Sequence, residues 1–188
     1  MDVGKEPAQV QKYQRPNSLK YHLGQVVSVI VNKKEITGVI TGWTEKCTQN
    51  NRWVRKNYGN TKNGLHTKAS LEIASNPFYT IILEKNKVDD LINEERNNPS
   101  KCEKLEFLKN SRKNSFIYHK IWKYQVYVPQ DQIAKVYCIR ENWKNLPFDP
   151  CFNDYFYGYD HENYVFQTTQ FLKILYPGEK KQKKNILN

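Results

Sequence analysis

Apolar residues along this chain come in short runs separated by polar stretches, a rhythm that predicts strands more often than long helices. The strongest run is NPFYTIILEK, Asn76 to Lys85. The turn pair Asn76 and Pro77 leads into Phe78 and Tyr79, and Thr80, Ile81, Ile82 and Leu83 follow before charged Glu84 and Lys85, the profile of a well-buried strand. Upstream, KYHLGQVVSVI predicts a turn at Gly24 and a strand over Val26, Val27, Val29 and Ile30. After a charged turn at Asn32 to Glu35, ITGVITGW (Ile36 to Trp43) predicts the second strand of a hairpin. Gly38 and Gly42 mark a bend or bulge in it, and Trp43 stands at its end to cap a core. Downstream, IWKYQVYVPQDQI (Ile121 to Ile133) predicts a fourth strand ending at Pro129 in a short turn of helix, and AKVYCI (Ala134 to Ile139) a fifth.

The intervening segments are polar. Residues 1–19 read as a flexible leader, with order expected from Lys20. Residues 44–75 predict a long basic loop with a short helical turn near Trp53 to Lys56. In a second insertion, residues 87–120, VDDLINEE and CEKLEFLKN have helix-forming composition and are separated by Asn98 and Pro99. Residues 140–178 are an aromatic-rich wrap in which FLKILYP, Phe171 to Pro177, predicts a final strand or extended tail. The last ten residues, 179–188, read as a basic, disordered end. The expected architecture is one mainly β domain: a small five-stranded barrel with helical insertions and an aromatic C-terminal extension, with NPFYTIILEK as its central strand.

Composition narrows this picture. A chain of 188 residues and 22.4 kDa suits one domain, and a mean hydropathy of -0.83 beside 13% aromatics predicts a small aromatic core carrying long polar insertions. No apolar run approaches membrane-spanning length, so no membrane partner is expected. The first residues lack the pattern of a secretory signal or transit peptide, which makes a nuclear or cytoplasmic location the expectation. Cys47, Cys102, Cys138 and Cys151 show no CxxC spacing and have no histidine placed to complete a zinc site, so free thiols and no metal or cofactor are expected.

Charge is more informative. The net charge is +11, and it is concentrated. From Lys46 to Lys68 there are six basic residues (Lys46, Arg52, Arg55, Lys56, Lys62, Lys68) and no acidic one; from Lys101 to Gln125 there are seven against two, so the two segments match the whole excess. Trp53 and Tyr58 are interleaved with the first set, and Phe116, Tyr118 and Trp122 with the second, a mixture suited to phosphates and bases.

The order of the short motifs carries a resemblance. Tyr21 with HLGQVV (Gly24, Val26, Val27), then GVITGW (Gly38, Val39, Ile40, Gly42, Trp43), then NPFYTIILE (Pro77, Phe78, Tyr79, Leu83), then YVPQDQI (Tyr127, Pro129, Gln130, Ile133) is similar to the YccV-like or HspQ family, the hemimethylated-DNA-binding domain. The glycine-tryptophan pair, Tyr155 with Phe156, Tyr164, and Tyr176 with Pro177 look most like the eukaryotic branch at the C-terminus of F-box only protein twenty-one. The resemblance covers roughly residues 20 to 178 and implies a small Src-homology-3-like barrel. Tyr21, Gly24, Gly38, Gly42, Trp43, Pro77, Phe78, Tyr79, Tyr127 and Pro129 would then be scaffold. It departs from the family in the long insertion at 87–120, in Gly178 standing before Glu179, and in a leader too short for an F-box.

No nucleophile sits beside a partner histidine, no phosphate-cradling glycine loop is present, and His22, His66, His119 and His161 are scattered, so a non-enzymatic role is expected. The leading expectation is duplex DNA bound through phosphates by Lys46, Arg52, Arg55, Lys56, Lys62, Arg112 and Lys113, with Trp53 or Tyr58 stacking or wedging. The alternative is a protein-interaction module in protein quality control, its partner a protease, a ubiquitin-ligase component or a client, with exposed aromatics of the wrap as anchors.

Overall fold

The computed structural model of the chain describes residues 14–31, 34–50, 52–54, 68–97, 124–137, 148 and 150–179. Five strands form one antiparallel sheet: β1 (Val26–Val31), β2 (Lys34–Thr44), β3 (Phe78–Leu83), β4 (Gln125–Pro129) and β5 (Ile133–Tyr137), in the order β4-β3-β2-β1-β5. The expected strands over the first hairpin, NPFYTIILEK, and the stretch around Pro129 are therefore present. The central strand is β2, and β3 lies between β2 and β4, which corrects the expectation that NPFYTIILEK sits in the middle.

The sheet is not a closed barrel: no ladder joins β4 to β5. The two are consecutive in the chain, at opposite edges, and connected by a single 3-10 turn, Gln130–Gln132. A flat sheet of this width would separate its edges by about 19 Å, whereas the chain between Pro129 and Ile133 spans at most about 14 Å. The sheet therefore coils until its edge strands meet at one corner. The bulge expected from the glycines of β2 appears where its register with β3 shifts between Ile40 and Gly42.

One contiguous core draws side chains from all five strands, including fully buried Val26, Val39, Ile40, Tyr79 and Ile81. Helix α2 (Lys85–Asn97) adds Val88 and Leu91, three residues apart on one face, as an amphipathic helix must. Its Asp89 accepts a hydrogen bond from the Tyr124 hydroxyl at 3.1 Å. CEKLEFLKN lies outside the described residues.

The basic loop is not wholly irregular. Residues 52–54 are helical, as expected near Trp53, and α1 (Lys68–Ser75) follows before β3, which corrects the last eight residues of the expected loop to helix. The aromatic wrap is a second unit of structure: α3 (Phe152–Tyr155), β6 (Phe156–Asp160), β7 (Val165–Thr168) and α4 (Gln170–Leu175). Strands β6 and β7 pair antiparallel, and a bridge between Gln25 and Val165 attaches them to the main sheet. Phe152, Phe156, Tyr159 and Phe166 pack ring on ring in the core, with Phe152 and Phe166 edge to face at 4.9 Å.

FLKILYP is corrected from strand to helix. Leu172 is buried and Leu175 packs against the core one turn later, while Phe171 and Ile174 face outward, a spacing that only a helix satisfies. Residues 1–13 and 180–188 of the expected leader and tail lie outside the described residues, and the residues next to them are packed. Leu19 is buried, Arg15 is 2.8 Å from Glu179, and Glu179 is a fixed part of the domain. No helix among the described residues is long and apolar enough to cross a membrane.

Candidate nucleic-acid interface

The family-motif residues meet in two polar knots on the sheet. In the first, the Tyr79 hydroxyl accepts from the Tyr21 amide at 3.1 Å and donates to Gln130 Oε1 at 3.0 Å, while the Lys20 amide donates to the same oxygen at 2.7 Å. The Tyr21 and Tyr79 rings meet edge to face at 5.6 Å, and the Gln130 amide donates to the Pro77 carbonyl at 2.8 Å. Burial pushes the Tyr79 hydroxyl up to about 12, so it stays a neutral donor at any physiological pH. These contacts fasten the chain entering β1 to the corner where β4 turns into β5. In the second knot, Glu179 accepts from Arg15, His22 and Trp43, and Tyr176 packs on Trp43 at 5.1 Å with its hydroxyl over Gly42.

The basic loop leaves the sheet at Thr44, the end of β2. Lys46 and Arg52 are exposed and make no ion pair among the described residues, whereas Arg15, Lys34 and Lys87 are each paired to a carboxylate. Glu45 and Glu72 flank the acid-free stretch in sequence. The loop is held at both ends. The Asn50 side chain accepts from the Trp53 amide at 2.9 Å and its carbonyl from the Val54 amide at 3.1 Å, an N-cap for the turn at 52–54. The Cys47 amide donates to the Ala74 carbonyl at 2.9 Å, tying the loop to the last turn of α1, and burial pushes the Cys47 thiol up.

Trp53, expected to stack or wedge, is half-buried. Its ring lies 5.9 Å from that of Tyr127 on β4, which in turn stacks on Phe78 at 4.8 Å. Phe78 and Val54 are buried but stand apart from the main core, so the loop covers a small apolar cluster of its own. Arg55, Lys56, Tyr58, Lys62, Arg112 and Lys113 lie outside the described residues. Of the DNA-contact candidates, Lys46, Arg52 and Trp53 are among the described residues, the first two exposed and the third half-buried.

A cavity of about 370 Å³ between α2 and the β1–β2 hairpin is lined by Lys34, Lys87, Asp90 and Glu94, among others. Its Lys34 and Glu94 neutralise each other at 2.5 Å. Among the described residues no three His, Cys, Asp or Glu side chains gather as a metal site, and His161 packs against the Tyr159 ring. Sequence reasoning missed Arg15, His22 and Glu179 as a cluster. The tyrosine-proline-acidic ending was its only trace.

The family model described as hemimethylated DNA-binding protein YccV like matches residues 19–163. No curated protein and no solved structure gives a significant match.

Proposed function

The chain belongs to the YccV-like family, and from that premise we propose that it is a non-enzymatic module that binds duplex DNA through the basic loop leaving β2. The observation that carries this reading is the pair of exposed cations, Lys46 and Arg52, which make no ion pair among the described residues, on a loop pinned to the sheet. Arg55, Lys56 and Lys62 extend the same stretch, and Arg112 and Lys113 belong to the second basic insertion. The coiled sheet with its 3-10 crossing fits a Src-homology-3-like barrel, and a nuclear or cytoplasmic location goes with this function.

Binding of a fluorescent duplex across a salt series tests the reading. Six to eight phosphate contacts would lower affinity by roughly three to five powers of ten between low and near-physiological salt. Reversing Lys46 and Arg52 to glutamate should weaken binding and flatten the slope of log K against log salt by about 0.9 per lost contact. Salt-independent binding, or an unchanged slope in the reversal variant, removes the basic loop from the interface. Running hemimethylated and unmethylated duplexes side by side measures whether a methyl group is read, which requires an apolar contact in the major groove.

A second reading, a protein-interaction module in quality control, is favoured by one observation. Tyr157, Phe171 and Ile174 are 60%, 56% and 44% exposed on β6 and α4, with Lys173 lying over the Tyr157 ring at 5.6 Å. Phe171→Glu should abolish binding of a co-purified client and leave duplex affinity within about twofold, since a rim substitution away from the basic loop leaves its phosphate contacts intact. A client that duplex DNA displaces would argue against two separate surfaces.

A further inference from the structure

We infer that the Tyr127 hydroxyl is the group that positions Lys46 for phosphate, and that Trp53 braces the basic loop instead of wedging between bases; this rests on the DNA reading above. Tyr127 stands on the edge strand β4 opposite Thr80, and its side chain reaches past β3 to the end of β2. Its hydroxyl then becomes the hub of a five-residue arc. Thr44 Oγ1 is 2.5 Å away, the Thr48 amide donates to it at 3.1 Å, Thr48 Oγ1 is 3.3 Å away, and the Lys46 carbonyl lies at 3.5 Å.

A phenol offers one donor and two acceptor positions, so this arc saturates it. With its carbonyl turned to the hub, Lys46 presents its side chain to solvent. The ring beneath the hydroxyl is itself fixed, stacked on buried Phe78 and flanked by Trp53. Burial pushes the Tyr127 hydroxyl up, which keeps its proton in place for this role.

The consequence is preorganisation. A cation on an arc already ordered does not have its backbone frozen at the moment of binding, and that ordering is where a flexible basic loop loses affinity. The indole, spent on Tyr127, has a structural task that explains a tryptophan in the loop without any base contact.

The test uses the full chain and one fluorescent duplex, titrated over a salt series with wild type, Tyr127→Phe, Lys46→Ala and the double variant. Removing the hydroxyl alone should lower affinity about tenfold, the ordering of about one residue, and leave the salt slope unchanged, because Lys46 still reaches its phosphate. Lys46→Ala should flatten the slope by about 0.9, and the double variant should be no worse than Lys46→Ala, because without that cation the hydroxyl has nothing left to position. Trp53→Phe, which keeps an aromatic brace, should stay within about twofold of wild type. Additive losses in the double variant, or a Tyr127→Phe protein with wild-type affinity and slope while Lys46→Ala is impaired, overturns the positioning role. A large loss in Trp53→Phe at unchanged slope overturns the brace, because stacking on bases is not ionic. If wild type itself binds no duplex, the DNA reading falls and the inference with it. Should Tyr127→Phe fail to fold, Thr44→Val removes a contact to the same hydroxyl from the other side and carries the same expectations.

Discussion

Gly24→Ala is expected to destabilise the protein by about 3–5 kcal/mol, a large part of the roughly 5–15 kcal/mol that holds an ordinary domain together. Two effects combine. Gly24 has φ +79, in the left-handed region where an L side chain costs about 1–2 kcal/mol. A Cβ there would also lie 2.2 Å from the Phe166 carbonyl oxygen and 3.1 Å from the Phe166 nitrogen, so backbone must move. The movement breaks what the glycine makes possible: the Phe166 amide donating to the Gly24 carbonyl at 2.8 Å and the adjacent Gln25–Val165 bridge. Those bonds dock the β6–β7 hairpin, and with it Phe152, Phe156, Tyr159 and Phe166, onto the main sheet. Denaturant midpoints should fall and near-UV dichroism from the aromatic cluster should be lost first. Gly24→Asn separates the two causes: asparagine tolerates positive φ but carries the same Cβ, so it should be nearly as damaging. A midpoint within about 0.5 kcal/mol of wild type for the alanine variant would show that the hairpin docks without this contact.

Glu179→Ala should lower stability by about 2–3 kcal/mol, somewhat less than the loss for a fully buried ion pair, because the carboxylate keeps 13% exposure. Arg15 Nη1 donates to Oε1 at 2.8 Å, Trp43 Nε1 at 2.9 Å and the Leu23 amide at 3.4 Å, while His22 Nδ1 is 3.0 Å from Oε2. Removing the acceptor strands a guanidinium and an indole N–H in a poorly hydrated place. Glu179→Gln keeps acceptor oxygen but not charge and should lose about half as much. The pH dependence follows from the carboxyl's own equilibrium. Burial alone would raise it, but the His22 hydrogen bond and the Arg15 charge outweigh burial and hold it below its ordinary 4.5. A folded value below the unfolded one means the stabilisation is fully present above the unfolded value and is lost as pH falls through the folded one. The gap in denaturant stability between wild type and Glu179→Gln should therefore be constant from pH 7 to about pH 5 and close under more acidic conditions. A gap that persists unchanged at pH 2 would assign the effect to packing instead of charge.

Much of the main sheet could be read from local pattern. The continuous apolar run of β3, the glycine before β1, the glycine-marked bulge in β2 and the proline ending β4 each act through the residue's own backbone preference, so a short window suffices. The wrap resisted the same treatment. In FLKILYP a short apolar run is compatible with either period, and only the packing of Leu172 against the core, with Phe171 left outside, decides for helix. The β6–β7 hairpin escaped because its turn contains Tyr164 at φ 55 in place of the glycine that usually advertises such a conformation.

The candidate interface divides along the same line. Which residues carry charge, the segregation of that charge into two insertions, and the order of motifs that place the chain in its family are legible without coordinates, because they are properties of composition and spacing. The fold was needed to bring Trp53 against Tyr127, 74 positions away in sequence, to let Thr44 and Thr48 share that tyrosine's hydroxyl, and to bring Arg15 within 2.8 Å of Glu179. The reason is physical: side-chain partnership across a coiled sheet depends on register and curl, which no local window contains. Charge states what a loop can attract, and the strands beneath it decide where that loop is held.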